Sequence, residues 1–374
     1  MIPALAVGTR HGSANSLSIG IAGAGLMGRV LACYLLRAGH RVTLFDRDPV
    51  DSGAAAAYTA AGMLAPWAEL EQSEMSVFRL GLRSLQLWPE LLRELGRDVD
   101  FHQRGSLVVA HAADAGELVH FRRRLAAKLT AADQLRDLDA AALEQLEPAL
   151  TDVFDRALWL PGEAWLDGRR TMAALAGHLQ AAGVAWQPDT AVLGLEPGAL
   201  TTERGRQRFD SVIDCRGLGA RDDIPGLRGV RGELLWLHAP RLRLQRPVRL
   251  LHPRYRLYLV PRQDNILVLG ATQLESDDTG PVTVRSALEL LSAAYSMHSE
   301  LGEARLVHSE ANCRPALADN QPAIVATPGL IRVNGLFRHG FLLAPALAQD
   351  VIEHLHRDAA GNRPAGTDNE VMQA

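Results

Sequence analysis

Short apolar runs alternate with longer segments of helical periodicity in the first part of the chain. Residues 17–22 form an apolar run that stops at glycines, and residues 26–38 follow with apolar positions at helical spacing. Residues 41–45 form a second apolar run, which ends at Asp46. Parallel strands that are buried on both faces are continuously apolar and are joined by helices. The pattern therefore predicts that the chain opens with a β-α-β unit.

The remainder of the chain adds an antiparallel segment to this arrangement. Residues 258–262 and 266–269 are apolar runs separated by the turn-like triplet Gln263-Asp-Asn265, which predicts a β-hairpin. Further strands are predicted over 107–110, 211–214, 231–237 and 329–333. Further helices are predicted over 76–95, 115–146, 169–182, 283–295 and 345–356. These elements predict an α/β fold in which an antiparallel segment is inserted into a parallel core, so that the domains are discontinuous in sequence.

Composition narrows the range of functions. The chain has 374 residues, of which 47% are hydrophobic and 22% are charged, as in ordinary soluble globular proteins. The 39 basic and 43 acidic residues give a formal net charge of −4, which argues against a general nucleic-acid-binding function. Lys128 is the single lysine, so the sequence has no Gly-Lys-Ser/Thr phosphate-binding loop, and lysine Schiff-base chemistry is not indicated.

Cysteine spacing and the lengths of the apolar runs bear on the cellular compartment. Cys33, Cys215 and Cys313 are isolated in sequence, which is typical of a protein of the reducing cytoplasm and does not predict a metal site. Residues 1–16 lack the apolar core of a secretory signal, and no apolar stretch is long enough to span a membrane. We therefore expect a cytoplasmic protein that has no membrane or nucleic-acid partner.

A dinucleotide-binding fingerprint follows the first predicted strand. In Gly23-Ala-Gly25-Leu-Met-Gly28, the first glycine suits a tight turn, the second lets the backbone approach a pyrophosphate, and the third lets the helix pack close to the strand. The helix N-terminus offers unpaired N–H groups to the phosphates. Asp46, at the end of the second strand, is placed to bind a ribose hydroxyl. NAD and FAD share these features, so the fingerprint alone leaves the choice between them open.

Three later segments carry a family resemblance. They are Tyr58-Thr-Ala-Ala-Gly-Met-Leu-Ala-Pro66, Arg314-Pro-Ala-Leu-Ala-Asp-Asn-Gln-Pro322 and Asn334-Gly-Leu-Phe-Arg-His-Gly-Phe-Leu-Leu-Ala-Pro345. Together with the fingerprint, they resemble the D-amino-acid oxidase superfamily of flavoproteins, and most closely the glycine oxidases of thiamine biosynthesis. The resemblance extends over about residues 17–356.

The resemblance implies a fold of the D-amino-acid oxidase and glutathione reductase type. A Rossmann-like FAD-binding domain would be accompanied by a discontinuous second α+β domain that carries an antiparallel sheet. The FAD-binding domain would consist of residues 17–100, 150–230 and 306–357, and the substrate-binding domain of residues 101–149 and 231–305. Residues 1–16 and 358–374 are expected to be flexible tails.

The resemblance also implies an activity. The family binds FAD non-covalently and oxidises an amine to an imine, by hydride transfer from the substrate α-carbon to flavin N5. The expected substrate is glycine, or another small amine or D-amino acid. O₂ would be reduced to H₂O₂, and the imine would serve thiamine thiazole synthesis. Glycine oxidases also suggest a homo-oligomer.

The family motifs assign roles to individual residues of this sequence. Arg314, expected in a loop, and Tyr258 would bind the substrate carboxylate, and Arg338 at the pocket edge would be either a substrate contact or a structural ion pair. Pro345 would begin the last helix, whose free N–H groups would face the flavin C2 carbonyl. The implied FAD-binding residues are Gly23, Gly25, Leu26, Met27, Gly28, Asp46, Arg47, Thr59, Ala60, Ala61, Gly62, Met63, Val192, Gly217, Arg338, His339, Gly340, Phe341 and Leu342.

Some relatives attach flavin through a cysteine near the Arg314 segment. Cys313 is one position out of register with that cysteine, so it is interpreted as a packing residue. Two other functions remain open from the sequence. One is a flavin-dependent dehydrogenase that passes electrons to a quinone or carrier, and the other is a non-catalytic NAD-binding module. Peroxide formation under air distinguishes an oxidase from the dehydrogenase, and flavin absorbance of the purified protein would exclude the NAD-binding module.

Overall fold

The computed structural model describes residues 16–130, 135–253, 256–359 and 370–373. The α-helices of these residues are α1 (Leu26–Arg37), α2 (Pro66–Leu70), α3 (Met75–Leu95), α4 (Ala115–Lys128), α5 (Ala140–Leu146), α6 (Gly168–Ala181), α7 (Val284–Met297) and α8 (Gly340–Ala359). The strands are β1 (Ser18–Ala22), β2 (Arg41–Phe45), β3 (Met63–Leu64), β4 (Ser106–Ala110), β5 (Arg136–Leu138), β6 (Ala157–Leu160), β7 (Ala164–Trp165), β8 (Ala185–Gln187), β9 (Val192–Glu196), β10 (Ala199–Thr202), β11 (Gly205–Arg208), β12 (Ser211–Asp214), β13 (Arg228–His238), β14 (Val248–Leu251), β15 (Arg256–Pro261), β16 (Ile266–Gly270), β17 (Leu274–Glu275), β18 (Arg305–Ala316), β19 (Ala323–Thr327), β20 (Leu330–Asn334) and β21 (Glu370–Gln373).

A seven-stranded sheet forms the parallel core of the described residues. Its strand order is β21-β19-β20-β12-β1-β2-β8. β1 pairs in parallel with β2 and with β12, and β12 pairs in parallel with β20. The apolar side chains of β1 and β2 are buried, as expected for strands covered on both faces. Since α1 connects β1 to β2, the predicted β-α-β unit is confirmed.

The carboxyl ends of four parallel strands meet at one edge of this sheet. The chain leaves β1 at Gly23, β2 at Asp46, β12 at Cys215 and β20 at Gly335. Ligands of open parallel sheets bind outside this edge. The fold therefore brings the amino-terminal glycines, the acid after β2 and the segment before α8 to a common place.

A nine-stranded, mostly antiparallel sheet carries the remaining candidate residues. Its described strands run in the order β17-β13-β16-β15-β14-β4-β6-β5, and β18 pairs with β13. β15 and β16 form the predicted hairpin. The prediction that Arg314 lies in a loop was wrong, because pairing with Val230 of β13 keeps Arg314 within β18. Pro315 follows it in the same strand, which is compatible with a strand that pairs on one side in the described structure.

The predicted helix over 115–146 is interrupted. α4 ends at Lys128, and β5 pairs with β6 before α5 begins. Antiparallel pairing with β6, about twenty residues later in the chain, holds β5 extended. The Arg136 guanidinium lies 5.1 Å from the Trp159 ring centroid, and Asp137 Oδ2 forms an ion pair with Arg122 Nε at 2.7 Å. A local pattern rich in Ala, Leu, Arg and Glu does not reveal these contacts.

The predicted tails and domain boundaries can be compared with the helices and strands of the structure. The predicted tail over 1–16 lies outside the described residues except for Ser16. The predicted tail over 358–374 overlaps two elements, because α8 continues to Ala359 and β21 pairs with β19. β6 and β18 pair within the nine-stranded sheet, although the predicted boundaries put residues 157–160 and 306–316 in the FAD-binding domain. The division of the chain into two domains otherwise stays a prediction.

The last helix begins five residues earlier than its proline suggests. α8 starts at Gly340, and Pro345 lies inside it, so the prediction that Pro345 opens the helix was wrong. A proline cannot donate to the carbonyl four residues before it, which here is that of Phe341. The Trp88 indole on α3 donates to this carbonyl at 2.8 Å, and Ser84 Oγ accepts from the Ala346 N–H at 3.2 Å. α3 therefore supplies hydrogen bonds where α8 contains the proline.

We expect Trp88→Phe to lower the free energy of unfolding by about 1–3 kcal/mol, because it removes the indole donor from the buried Phe341 carbonyl. Urea denaturation followed by circular dichroism measures the change. Trp159→Phe is the control, since the buried Trp159 Nε1 has no hydrogen-bond partner in the described structure. Equal losses in the two variants would contradict the stated role of the indole.

Candidate active site

A cavity of about 1130 Å³ lies along the carboxyl edge of the seven-stranded sheet and reaches the nine-stranded sheet. Its volume lies above the usual range for a drug-sized ligand and suits a dinucleotide together with a small substrate. All the predicted site residues except Gly28 and Val192 line this cavity. The structure thus brings together residues that are up to about three hundred positions apart in sequence.

The three fingerprint glycines differ in what surrounds them. Gly23 has a φ of +96°, and its N–H donates to the Phe45 carbonyl at 2.8 Å, so the chain turns tightly after β1. A Cβ added to Gly28 would lie 1.9 Å from the Gly23 carbonyl oxygen, so this glycine permits close packing of α1 on the turn. A Cβ added to Gly25 would meet nothing closer than Ala55 Cβ at 3.7 Å. The backbone of Gly25 is therefore open to a ligand in the cavity.

Asp46 lies at the same end of the cavity. Its Oδ1 accepts a hydrogen bond from the Asp48 N–H at 2.9 Å, and its Oδ2 accepts one from the Ala24 N–H. Burial raises the pKa of this carboxyl above its ordinary value, and the two N–H donors act in the opposite direction. A carboxylate has about four acceptor positions, so two remain for ribose hydroxyls.

The segment after residue 58 forms the middle of the cavity wall. Gly62 has a φ of +67°, and an added Cβ would lie 2.1 Å from the Leu166 carbonyl oxygen. Thr59 Oγ1 accepts from Asn312 Nδ2 at 3.3 Å, which fixes the wall to β18. The Tyr58 hydroxyl accepts from the buried Arg29 at 3.1 Å. Tyr58 therefore anchors the start of this segment to α1.

The first turn of α8 faces the cavity beside the start of α1. Gly340, Phe341 and Leu342 line the cavity, and a Cβ added to Gly340 would lie 3.7 Å from Leu26 Cδ2. The N-terminal ends of two helices thus point to one space. Both ends carry partial positive charge and favour electron-rich or anionic groups.

Arg314 projects from β18 across β13. Its Nη1 donates to the Thr272 carbonyl at 3.2 Å and lies 3.4 Å from the Arg231 carbonyl. Within the described part of the chain, no carboxylate lies at ion-pair distance from it. Burial lowers the pKa of the Arg314 guanidinium, and the neighbouring Tyr258 acts in the opposite direction. An arginine nevertheless remains charged in proteins, so this guanidinium is available to an anionic ligand.

Tyr258, which belongs to β15, lies beside Arg314 of β18. Burial raises the pKa of its phenol, against the effect of Arg314 and Arg249, so the hydroxyl is protonated and can donate a hydrogen bond. Two glycines make room for this pair. A Cβ on Gly270 would lie 2.8 Å from the Tyr258 hydroxyl oxygen, and a Cβ on Gly232 would lie 2.0 Å from Arg314 Nη2.

Glu69 connects Arg249 of β14 to the segment before α8. Its Oε1 lies 2.8 Å from Arg249 Nη2, and its Oε2 lies 2.7 Å from Arg338 Nε and 3.0 Å from His339 Nε2. Burial acts to raise the pKa of this carboxyl, but Arg338 and Arg249 outweigh it and hold the pKa well below its ordinary value. Glu69 is therefore an ionised centre that holds three side chains.

Arg338 is thus held in an ion pair. Its Nη groups also donate to Gln72 at 3.2 Å and to Gln273 at 3.3 Å. Of the two possibilities for this residue, the structure shows the ion pair, while its contact with substrate stays a prediction. Arg314, by contrast, has only carbonyl acceptors in the described residues.

A second buried carboxyl lies behind Glu69. Glu163 accepts from the Ala68 N–H at 2.7 Å and from the Ser106 hydroxyl, and burial raises its pKa to about 7. Because Ala68 precedes Glu69 in α2, this carboxyl fixes the short helix that carries Glu69.

The structure also shows the surroundings of Val192, Arg216 and Cys313. Val192 packs in β9 against a cluster around Phe45 and is not in the cavity wall. Arg216 pairs with the buried Asp214 at 2.8 Å, which accounts for the polar residues after β12. The Cys313 thiol contacts the carbonyls of Ser276 and Asp278, in agreement with a packing role.

Sequence reasoning missed Glu69, Arg249, Gly232 and Gly270. The glycines had a local signal, because a glycine inside a strand often marks a close approach of another group. Glu69 and Arg249 had none, since ordinary surface ion pairs have the same residue types.

The comparison with protein families decides the class of this protein. The model of a family described as FAD dependent oxidoreductase matches residues 18–354. The chain belongs to this family. The predicted fold class, the prediction of an enzyme and the prediction of FAD as cofactor are confirmed. The alternative of a non-catalytic NAD-binding module is wrong.

Individual relatives agree with this assignment. A Rhizobium etli protein named "Putative thiamine biosynthesis oxidoreductase ThiO" is 43% identical over 339 residues, which cover 89% of this chain and 94% of that protein. The solved glycine oxidase of Geobacillus kaustophilus superposes with a TM-score of 0.79 at 26% identity, covering 91% of this chain and 95% of the other. The iminodiacetate oxidase of Chelativorans sp. BNC1 has a TM-score of 0.77 at 25% identity, with 93% and 96% covered.

The residues present fit FAD. Gly25 and Gly340 leave open the spaces that a Cβ would fill, Asp46 keeps acceptor positions, and two helix N-termini face the cavity. The described residues contain no group of three or more His, Cys, Asp or Glu that could hold a metal ion. Nor does any described helix combine the length and the apolar character needed to cross a bilayer.

We expect Gly232→Ala to raise the KM for an amino-acid substrate at least about tenfold while FAD stays bound, because the new methyl group occupies the position of the Arg314 guanidinium. Steady-state kinetics and flavin absorbance measure the two effects. Gly194→Ala in β9 is the control, since its added Cβ would meet only Thr201 Cβ at 4.0 Å. An unchanged KM in Gly232→Ala would contradict the placement of Arg314.

Proposed function

We propose that the protein catalyses the FAD-dependent oxidative deamination of glycine, or of another small amine or D-amino acid, to an imine. O₂ serves as the electron acceptor and is reduced to H₂O₂. The observation that carries this proposal is the Arg314 guanidinium, which lies in the cavity beside Tyr258 without a carboxylate partner among the described residues.

A substrate carboxylate supplies the negatively charged partner that Arg314 lacks among the described residues. The planar guanidinium matches a carboxylate through two parallel hydrogen bonds, and the Tyr258 hydroxyl adds a third donor. Such charge-assisted hydrogen bonds contribute about 1.5–3 kcal/mol each. The two residues come from different strands of one sheet, so a ligand held by both has a defined orientation.

The rest of the cavity supports the same reaction. Bound FAD supplies the two-electron oxidation of the carbon that bears the amine. The N-terminus of α8 presents its N–H groups to the cavity, where they stabilise negative charge. Residues Thr59–Met63 and the first turn of α8 form the walls that would hold the ring system.

The biological setting rests on the relatives. The name of the Rhizobium etli protein supports a role in thiamine biosynthesis, in which the imine is used to build the thiazole. The buried Cys313 thiol supports non-covalent FAD, and three free cysteines support a reducing cytoplasm. A homo-oligomer completes the proposal, by analogy with glycine oxidases.

We expect the purified protein to show flavin absorbance and to release H₂O₂ under air with glycine, sarcosine or a small D-amino acid. A peroxide-coupled assay across these substrates tests the proposal. A protein that reduces an artificial quinone with the same substrates but forms no peroxide is a dehydrogenase, and one inactive with all of them contradicts amine oxidation.

We expect Arg314→Ala to raise the KM for the carboxylate substrate about 10- to 100-fold, the equivalent of 1.5–3 kcal/mol, while FAD remains bound. Arg314→Lys should recover only part of this loss, because an ammonium group lacks the two-pronged geometry. Arg243→Ala, which removes an exposed arginine, is the control. Wild-type kinetics in Arg314→Ala would exclude it as the carboxylate ligand.

A further inference from the structure

Arg256 is a charged residue of the cavity wall that the proposed reaction does not use. It belongs to β15, as Tyr258 does, and both residues line the main cavity. Leu257 and Leu259, which alternate with them, are buried in a separate core cluster. Because side chains alternate between the two faces of a strand, Arg256 and Tyr258 lie on the same face. The Arg256 side chain is 44% exposed and is therefore accessible to a ligand in the cavity.

Strand geometry sets the spacing between Arg256 and the proposed carboxylate site. Alternate residues of a strand are about 6.5–7 Å apart, so Arg256 lies one such step from Tyr258 along the cavity wall. Pairing with β14 fixes this register, with Arg249 opposite Tyr258 and Leu251 opposite Arg256. The carboxyl carbons of a small amino dicarboxylate are about 4–5 Å apart, because three or four bonds of about 1.5 Å join them. A ligand held at Tyr258 can thus bring a second carboxylate within reach of the long Arg256 side chain.

The charges around Arg256 favour a second anion. Glu71 follows α2, and its side chain is only 5% exposed. It forms ion pairs with Arg256 of β15 and with Arg124 of α4, the latter at 2.8 Å. Two guanidinium groups thus share one carboxylate, and the group of three side chains retains one positive charge. A ligand carboxylate at Arg256 compensates this charge, while Glu71 keeps Arg124 as its partner.

Arg256 also has hydrogen-bond donors available for a ligand. A guanidinium carries five N–H donors, and the ion pair with Glu71 uses Nη1 of Arg256. A second carboxylate can therefore bind without displacing Glu71. Arg249, the neighbouring arginine of the same wall, is less accessible, because its side chain is 17% exposed and its Nη2 donates to Glu69 at 2.8 Å. Accessibility thus favours Arg256 as the second anion site.

We propose that Arg256 binds a second acid group of the substrate, so that the preferred substrate is a small amino acid with two carboxylates. This inference rests on the proposed amine oxidation and names its substrate class. The α-carboxylate lies at Arg314 and Tyr258, and the second carboxylate lies at Arg256. The second group belongs either to the carbon side chain, as in D-aspartate, or to a substituent on nitrogen, as in iminodiacetate. Both offer the same chemistry to the arginine, and the experiment distinguishes them.

Matched substrate pairs test the second site in the FAD-loaded enzyme. D-aspartate is compared with D-asparagine, and iminodiacetate with its monoamide, in a peroxide-coupled assay. Within each pair the two molecules have nearly the same shape, and only the charge of the second group differs. We expect kcat/KM of the wild type to be at least about tenfold higher for the dicarboxylate in one pair, because the amide cannot pair with the Arg256 charge. The pair with the larger ratio shows where the second group is attached, and ratios near one in both pairs overturn the proposal.

Variants of the two arginines on Glu71 separate a direct contact from a general effect of charge. Arg256→Gln should bring the ratio within about twofold of one, and Arg256→Lys should keep part of the preference. Arg124→Gln is the matched control, because it removes the other cation from Glu71 but does not line the cavity, and it should keep the ratio. Equal losses of preference in Arg256→Gln and Arg124→Gln overturn the contact at Arg256. An Arg256→Gln variant that slows both members of a pair alike, so that the ratio stays at its wild-type value, also overturns it.

A binding measurement separates the second acid site from the proposed reaction. Succinate and succinamate carry no amine, and their binding to the holoenzyme is followed by flavin absorbance. We expect succinate to bind about tenfold more tightly than succinamate in the wild type and equally well in Arg256→Gln. If the wild type oxidises no amine but keeps this difference, the proposed function fails while the acid site stands. If the wild type oxidises glycine but shows no preference for a second carboxylate in either assay, the acid site is overturned while amine oxidation stands.

Discussion

The charge of the partly buried Arg314 guanidinium is the constraint on which the proposed substrate side of the cavity depends. Removing a guanidinium from water is unfavourable unless hydrogen bonds and an opposite charge compensate it. The carbonyls of Arg231 and Thr272 provide hydrogen bonds, but no described carboxylate provides the charge. A ligand that brings a carboxylate would therefore gain an interaction that the described residues leave unfilled, and this supports our proposal of a carboxylate ligand at this place.

The neighbouring arginines show the opposite arrangement. Arg249 and Arg338 share the Glu69 carboxylate, so their charges are compensated within the protein. A substrate carboxylate gains less from displacing such a pair, because the displaced Glu69 would lose its partners in a buried place. The contrast favours Arg314 over Arg249 and Arg338 as the proposed anion site. It also frees Glu69 to fix the hydrogen on His339 Nε2, so that one carboxylate positions both arginines and selects the tautomer of the imidazole.

Features decided by neighbouring residues could be predicted from the sequence, and those decided by distant contacts could not. The β-α-β unit and the hairpin at Gln263 follow from local apolar patterns and turn residues, and the structure has both. The start of α8 at Gly340 does not follow from a local pattern, because proline is typical of the first turn of a helix and Pro345 therefore indicates a later start. Trp88, 253 residues from Phe341 in sequence, supplies the hydrogen bond that lets the helix begin earlier. No pattern within the last helix contains that information.

The same distinction applies within the site. Family motifs led to Arg314 and Tyr258, whereas Gly232 and Gly270 acquire meaning only from strand pairing. A glycine in a strand interior loses side-chain packing and conformational entropy. Gly232 is nevertheless required in β13, because pairing of β13 with β18 carries the Arg314 side chain across its backbone. The Arg314 guanidinium, from a strand some eighty residues later, occupies the space that a Cβ of residue 232 would fill. The position of the proposed substrate anchor therefore depends on residue 232 being a glycine.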